Sequence, residues 1–309
     1  MQLIMEFSSS CLIESVKNIK PLGLNIDPDY FRNALTQQQY KVKYLYMSEF
    51  KENVDEEKKE TPSFFNLKDY KKKYEGQDIY VVGSGKSCDF IDPSFLENKI
   101  SIGINQVYKR FRCTYLLKKE IISKADPIFD EVKHSTLFFS QNSHGGKGGK
   151  GKITKENIEN FKFPKEVTDN IVIYPHFPNP HSKDTEEQVL AKLKTEEDKL
   201  LTSFSSITTG IHLAYYMGAK NIILIGHDCC TIGGENNMSG YHTDATMKSW
   251  GKNDAEGKKK YKKWLSEIRK TTRFMQTSLR TLGTNLVSIN PTITLSDVVN
   301  GGTSGFKIP

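Results

Sequence analysis

The chain has 309 residues, 37% of them apolar, and carries 44 basic against 37 acidic side chains for a net charge of +7. That length and apolar content suit one large globular domain, alone or with an appendage, and exclude a wholly disordered chain. No apolar run is long enough for a membrane helix, and the N-terminus MQLIMEFSSSCLIESVKNIK lacks a basic region followed by an apolar stretch and a cleavage site, so a cytoplasmic location is expected.

Residues 1–50 mix apolar and polar positions, with a short strand expected at Tyr44-Leu45-Tyr46-Met47. The charged run KENVDEEKKE at 51–60 reads as a solvated linker or helix end. Residues 1–70 are therefore read as an N-terminal appendage and 71–309 as a single domain. From residue 78 onward the pattern becomes a series of short apolar runs: DIYVVG, ISIGINQ, TYLLKK, TLFFSQ, NIVIYP, NIILIGHD and NLVSIN. Their alternation with helical or loop stretches predicts an α/β, Rossmann-like, mostly parallel sheet with helices on both faces.

The first run leads into GSGKS, which looks like the end of a phosphate-binding P-loop. A P-loop needs its first glycine five residues before Gly85, where this chain has Tyr80, itself part of the strand. The loop begins only at Gly83 and is too short to be a P-loop. A short glycine turn after a buried strand still brings backbone N–H groups to an anion, although the same sequence also suits a tight strand-to-helix turn with no ligand. Further along, QNSHGGKGGKGK at 141–152 reads as a flexible insertion, since Ile153 stands where a second P-loop would need Ser or Thr. KTEEDKLL at 194–201 is predicted to be a charged helix. SSITTGIHLAYYMGAK predicts an amphipathic helix that starts at Ser205 or Ser206 and stops at Gly218. The loop GHDCCTIGGENNMSGYH then follows a strand, at the carboxyl end where ligands bind in such sheets.

The five cysteines, Cys11, Cys88, Cys113, Cys229 and Cys230, form no CxxC pair, which argues for free thiols rather than a disulfide framework or zinc ribbon. Only six of the basic residues are arginines. A lysine-rich surface is compatible with an acidic partner, nucleic acid included, and equally with plain solubility.

Two segments, YVVGSGKSCDFIDPSFLENKISIGINQVY at 80–108 and SSITTGIHLAYYMGAKNIILIGHD at 205–228, go beyond generic patterning. Together they resemble a Rossmann-like family that includes Campylobacter-type sialyltransferases, motility-associated glycosyltransferases and hydroxymethylpterin pyrophosphokinase-like proteins. The matching positions are Gly83-Ser84-Gly85-Lys86-Ser87, then Asp89 and Asp92, then Asn105-Gln106, and later Ile222 to Asp228. The resemblance implies a nucleotide bound at the ends of the first strands, with its phosphate near the glycine turn. The family's sialyltransferases use Asn in both early motifs to hold a CMP-sugar; this chain keeps Asn105 and has Ser84 in the first, which cannot copy both edges of an amide.

Sugar transfer needs a base for the acceptor hydroxyl and stabilisation of a phosphate leaving group. Candidates cluster at His227, Asp228, Tyr241 and His242. By the resemblance, Tyr241 is the phosphate-binding tyrosine and His242 the base. Asp228 is a candidate to bind a ribose hydroxyl, orient a histidine or hold magnesium, with a helix N-cap as the plainer role. Lys86 is placed to reach a phosphate, and Lys118, Lys119 and Glu120 follow a strand into the same cleft. His144, His176 and His181 are too scattered for a metal site.

The expected activity is a glycosyltransferase that needs no cofactor, takes a nucleotide sugar as donor and serves a hydroxyl acceptor, which could belong to a polyanion such as modified DNA. The alternatives are a pyrophosphokinase using ATP and magnesium, or a nucleotide-binding module without catalysis.

Overall fold

The computed structural model describes residues 66–119, 128–131, 134–141, 170–177, 184–230, 232, 235–241 and 255–290. The strand expected at 44–47, the glycine- and lysine-rich stretch from 142, Glu120, His144, His181 and His242 lie outside the described residues. The elements below fall in one compact unit, residues 54–89 and 93–309.

Each of the seven apolar runs forms a strand: β1 Asp78–Val82, β2 Ser101–Ile104, β3 Tyr115–Lys118, β4 Thr136–Ser140, β5 Ile171–Tyr174, β6 Asn221–Ile225 and β7 Asn285–Ser288. They pair in parallel as one sheet in the order β5-β4-β3-β2-β1-β6-β7. Parallel strands are covered on both faces, so they need continuous apolar runs, and β2, β3 and β5 are buried at every position. The chain builds outward from β1 to β5 and then returns to place β6 on the other side of β1. That reversal is a topological switch point, and the crevice outside the carboxyl ends of β1 and β6 is where such sheets take ligands.

Among the described residues, four α-helices accompany the strands: α1 Ile128–Glu131, α2 Glu186–Lys194, α3 Ser206–Tyr216 and α4 Ala255–Thr281. Helix α3 starts where Ser205 caps it, its side chain accepting from the Ile207 amide, and ends at Gly218 with φ of +88°. It packs against Ile79, Val81, Ile102, Ile104 and Leu224 in the core on one face of the sheet. Gly210 lets it approach closely, because a Cβ there would come 2.7 Å from the Ile104 Cδ1 and 2.9 Å from the Val81 Cγ1. Helix α4 buries Ile268, Thr272, Met275 and Leu279, a stripe spaced four, three and four residues apart. Leu67 and Tyr70, at the end of the expected appendage, also join the sheet: Leu67 is buried in the core, and the Tyr70 ring meets Phe138 edge-on at 4.9 Å.

The charged helix expected at 194–201 does not form. Helix α2 ends at Lys194, having started from a capping box between Thr185 and Gln188, and Thr195 is already extended. Leu200 instead lies beside the end of β5, its amide donating to the Pro175 carbonyl at 2.9 Å and its carbonyl accepting from the Phe177 amide at 3.1 Å. Burying Leu200 and Leu201 there requires extended chain, and that outweighs the local helical preference of the charged residues.

The Leu201 amide donates to Nδ1 of His212 at 2.7 Å inside α3. Burial pushes this imidazole down to about 3, so it is neutral in the fold. The unfolded chain therefore takes up the proton first, and stability present above pH 6.5 is lost as the pH falls, by roughly 1.4 kcal/mol per unit at full effect. His212→Asn, whose amide oxygen can replace Nδ1 as acceptor, should remove this component. The stability difference between wild type and variant, measured by urea unfolding, should shift steadily against the wild type from pH 6.5 to 4.5. A difference independent of pH would contradict it.

Candidate functional site

At the switch point the glycine turn runs along the end of β6. The Gly83 amide donates to the Ile225 carbonyl and the Gly85 amide to the Gly226 carbonyl, both at 2.7 Å. A Cβ on Gly83 would stand 2.5 Å from the Gly226 oxygen, and one on Gly85 2.5 Å from the Asp228 Oδ2. Both glycines are thus required by contact within the protein.

Asp228 is 3% exposed and turns back onto this turn. Its Oδ2 accepts from the Ser87 amide at 2.8 Å and its Oδ1 from the Ser87 hydroxyl at 2.5 Å. Burial pushes its carboxyl above the ordinary 3.8, although the two Ser87 bonds pull the other way. Asp228, expected to face a ribose, a magnesium ion or a histidine, here engages both carboxylate oxygens with Ser87 and so braces the turn. Three of the backbone amides in the expected phosphate turn are engaged within the protein: those of Gly83 and Gly85 donate to the carbonyls of Ile225 and Gly226, and that of Ser87 to Asp228. Lys86, expected to reach a phosphate, is paired with Asp89 at 2.8 Å and with Glu235.

The polar groups that the fold does gather lie on the other side of the turn. Ser84 Oγ donates to Asn237 Oδ1 at 3.0 Å, and the Ser84 carbonyl accepts from the Met238 amide at 2.8 Å. The loop after β6 is thereby laid against the turn and carries Tyr241 into it. The Tyr241 phenol lies beside the side chains of both Ser84 and Asn105. Burial pushes this phenol above its ordinary 10.0, with Ser84 and Asn105 opposing, so it stays protonated at neutral pH. Asn105 follows β2 directly and has φ of +56°, a left-handed conformation that Asn tolerates better than most residues. It opens a 3-10 turn, Asn105–Lys109, in which Gln106 is half-buried.

Lys118 ends β3 one register step beyond the Ile104–Leu117 pair, level with Asn105, and is 7% exposed. Asp228 and Lys118 are the two buried side chains of formal charge among the described residues, histidines aside, and both stand at the carboxyl edge of the sheet. His227 points away from the turn: its Nε2 lies 2.8 Å from the Thr272 hydroxyl of α4, and burial pushes its imidazole down to about 4. Burial also raises the thiols of Cys229 to about 12 and Cys230 to about 11, so neither is a thiolate at neutral pH.

Asn237, Asp89 and Lys109 take part in building this site although their residue types gave no sign of such roles. The hydrogen bond between Asn237 and Ser84 spans 153 positions, and no local pattern announces it.

No protein-family model matches the chain, and no curated protein sequence matches it. Similar solved structures include the sialyltransferase CST-II in complex with a trisaccharide acceptor and CMP, at 13% identity over 72% of this chain and 84% of that one, with a TM-score of 0.40. They also include the sialyltransferase CstII from Campylobacter jejuni in complex with cytidine-5'-monophosphate, at 14% identity over 72% and 83% of the two chains, with a TM-score of 0.39. The Rossmann-like assignment rests on the chain's own seven-stranded parallel sheet.

If Asp228 is a brace, removing it should first cost stability. Asp228→Ala leaves the buried Ser87 amide and hydroxyl unpaired and should lower the unfolding free energy by about 3 kcal/mol. Asp228→Asn keeps an acceptor for the Ser87 amide without the buried charge and should cost less than half as much. Chemical denaturation of the two variants checks the ranking, which reverses if the negative charge is what the fold needs.

Proposed function

We propose that this chain is a sialyltransferase-like glycosyltransferase that binds a nucleotide-activated sugar at the carboxyl ends of β1, β2 and β6 and transfers the sugar to a hydroxyl acceptor. The observation that carries this reading is the placement of Tyr241 beside Ser84 and Asn105: the Met238 amide donates to the Ser84 carbonyl at 2.8 Å, and Lys109, at the end of the turn that Asn105 opens, donates to the Tyr241 carbonyl at 3.2 Å. A hydroxyl, an amide and a phenol converge there from three segments, at the sheet edge where nucleotides bind. The motif resemblance assigns the same Asn and Tyr positions to the nucleotide.

The reaction breaks the bond between the anomeric carbon and a phosphate oxygen, which leaves with the electron pair, while the acceptor oxygen bonds to that carbon and gives up its proton. A buried phenol that keeps its proton is suited to donate to the charge growing on the departing phosphate. Ser84 and Asn105 bind and orient the nucleotide, and their uncharged groups suit ribose and phosphate oxygens alike. His242, next to Tyr241 in the chain, is assigned the acceptor's proton. Because Ser84 replaces the amide of the family's sialyltransferases, the donor is not restricted to a CMP-sugar.

Incubation with CMP-, CDP-, UDP- and GDP-linked sugars and a set of hydroxyl acceptors should give sugar transfer, or donor hydrolysis, with at least one donor and without added metal. Tyr241→Phe should lower kcat on that donor by about a hundredfold, the usual loss for one hydrogen-bond donor to a developing negative charge. If no nucleotide sugar is consumed while ATP is converted to AMP in an EDTA-sensitive reaction, the pyrophosphokinase reading replaces this one.

A further inference from the structure

Tyr241 ends the described stretch 235–241, whose main chain is gripped from two sides. Both Asp89 carboxylate oxygens accept from the Ser239 amide, at 3.0 and 3.1 Å, and Oδ2 accepts from the Ser239 hydroxyl at 2.7 Å. On the other side Lys109 Nζ donates to the carbonyls of Gly240 at 3.3 Å and Tyr241 at 3.2 Å. Between these grips Gly240 has φ of +73°, and the Tyr241 amide closes a turn on the Met238 carbonyl at 3.2 Å. Asp89 is in turn held by Lys86 at 2.8 Å.

The origins of the two grips are informative. Asp89 belongs to the 3-10 turn that begins at Lys86, directly after the glycine turn that carries Ser84. Lys109 ends the 3-10 turn that Asn105 opens. Each jaw is thus fixed to one of the two side chains beside the Tyr241 phenol. A long connection with a left-handed glycine would otherwise let Tyr241 sample many positions, and ordering it during binding would cost affinity.

We propose that Asp89 and Lys109 are positioning residues that preset the Tyr241 hydroxyl over Ser84 and Asn105 before any nucleotide arrives. Both act on this backbone and Ser239, so their effect on ligand passes through Tyr241. The inference rests on the nucleotide-sugar reading for its functional half only.

The test uses the full-length protein and four variants: Asp89→Ala, Lys109→Met, Lys109→Arg and Tyr241→Phe, with Asp89→Ala and Lys109→Met also placed in the Tyr241→Phe background. Hydrogen–deuterium exchange of the peptide covering 238–241 is read without ligand, and CMP binding by calorimetry. Asp89→Ala and Lys109→Met should each speed exchange of that peptide by about tenfold and weaken CMP by about tenfold, as for loss of hydrogen bonds to a charged group. Lys109→Arg should restore both. In the Tyr241→Phe background neither substitution should weaken CMP further. Lys109 is exposed, so its substitution leaves the fold intact even if Asp89→Ala does not. Unchanged exchange, or affinity losses that add to that of Tyr241→Phe, would overturn the proposal. If the wild type binds no CMP, CDP, UDP or GDP, the donor reading falls and the exchange arm alone decides the clamp.

Discussion

The buried carboxylate of Asp228 is the constraint on which the site depends. It crosses from the end of β6 to the turn after β1 and takes both the amide and the hydroxyl of Ser87. Taking a carboxylate out of water costs several kcal/mol unless its oxygens are satisfied, so the pair is stable only when the two strand ends stand in one arrangement. Gly83 and Gly85 make that arrangement sterically possible, and the position of Ser84 follows from theirs.

Charge is used in this region mainly to hold protein to protein. Lys86 faces Asp89 and Glu235, Lys109 faces the carbonyls of Gly240 and Tyr241, and Arg110 donates to the carbonyls of Cys88 and Asp89. The contact surface that results at Ser84, Asn105 and Tyr241 is uncharged and made of groups that both donate and accept. Such a surface discriminates by geometry more than by Coulomb attraction.

The sheet was legible in the sequence because a parallel strand covered on both faces needs an uninterrupted apolar run, and seven such runs stand between polar segments. The glycine turn was recognisable, but its purpose was not. A glycine that admits a phosphate and one that admits the carbonyl of Gly226 have the same sequence, and the partner lies some 140 positions away. Charge density around 194–201 suggested a helix, whereas Leu200 and Leu201 were the deciding residues, through burial that only the fold reveals. Asn105 and Tyr241 could be singled out through motif resemblance. The roles of Asn237 and Lys109 could not, and Asp89, although a matching position, gave no sign of its grip on Ser239, since each is a polar residue whose partner is set by tertiary approach.

The late return of the chain to β6 has a consequence for the order of assembly. Strands β1 to β5 can add to one another as they emerge from the ribosome, but the flank of β1 that receives β6 must wait until residue 221 and beyond have been made. During that interval the flank is an open hydrogen-bonding edge, and the serine at 87 has no acid to meet. The corner between β1 and β6 is therefore among the last parts to take shape, and a nascent chain that stops short of the sixth strand carries its glycine turn without the structure that orders it.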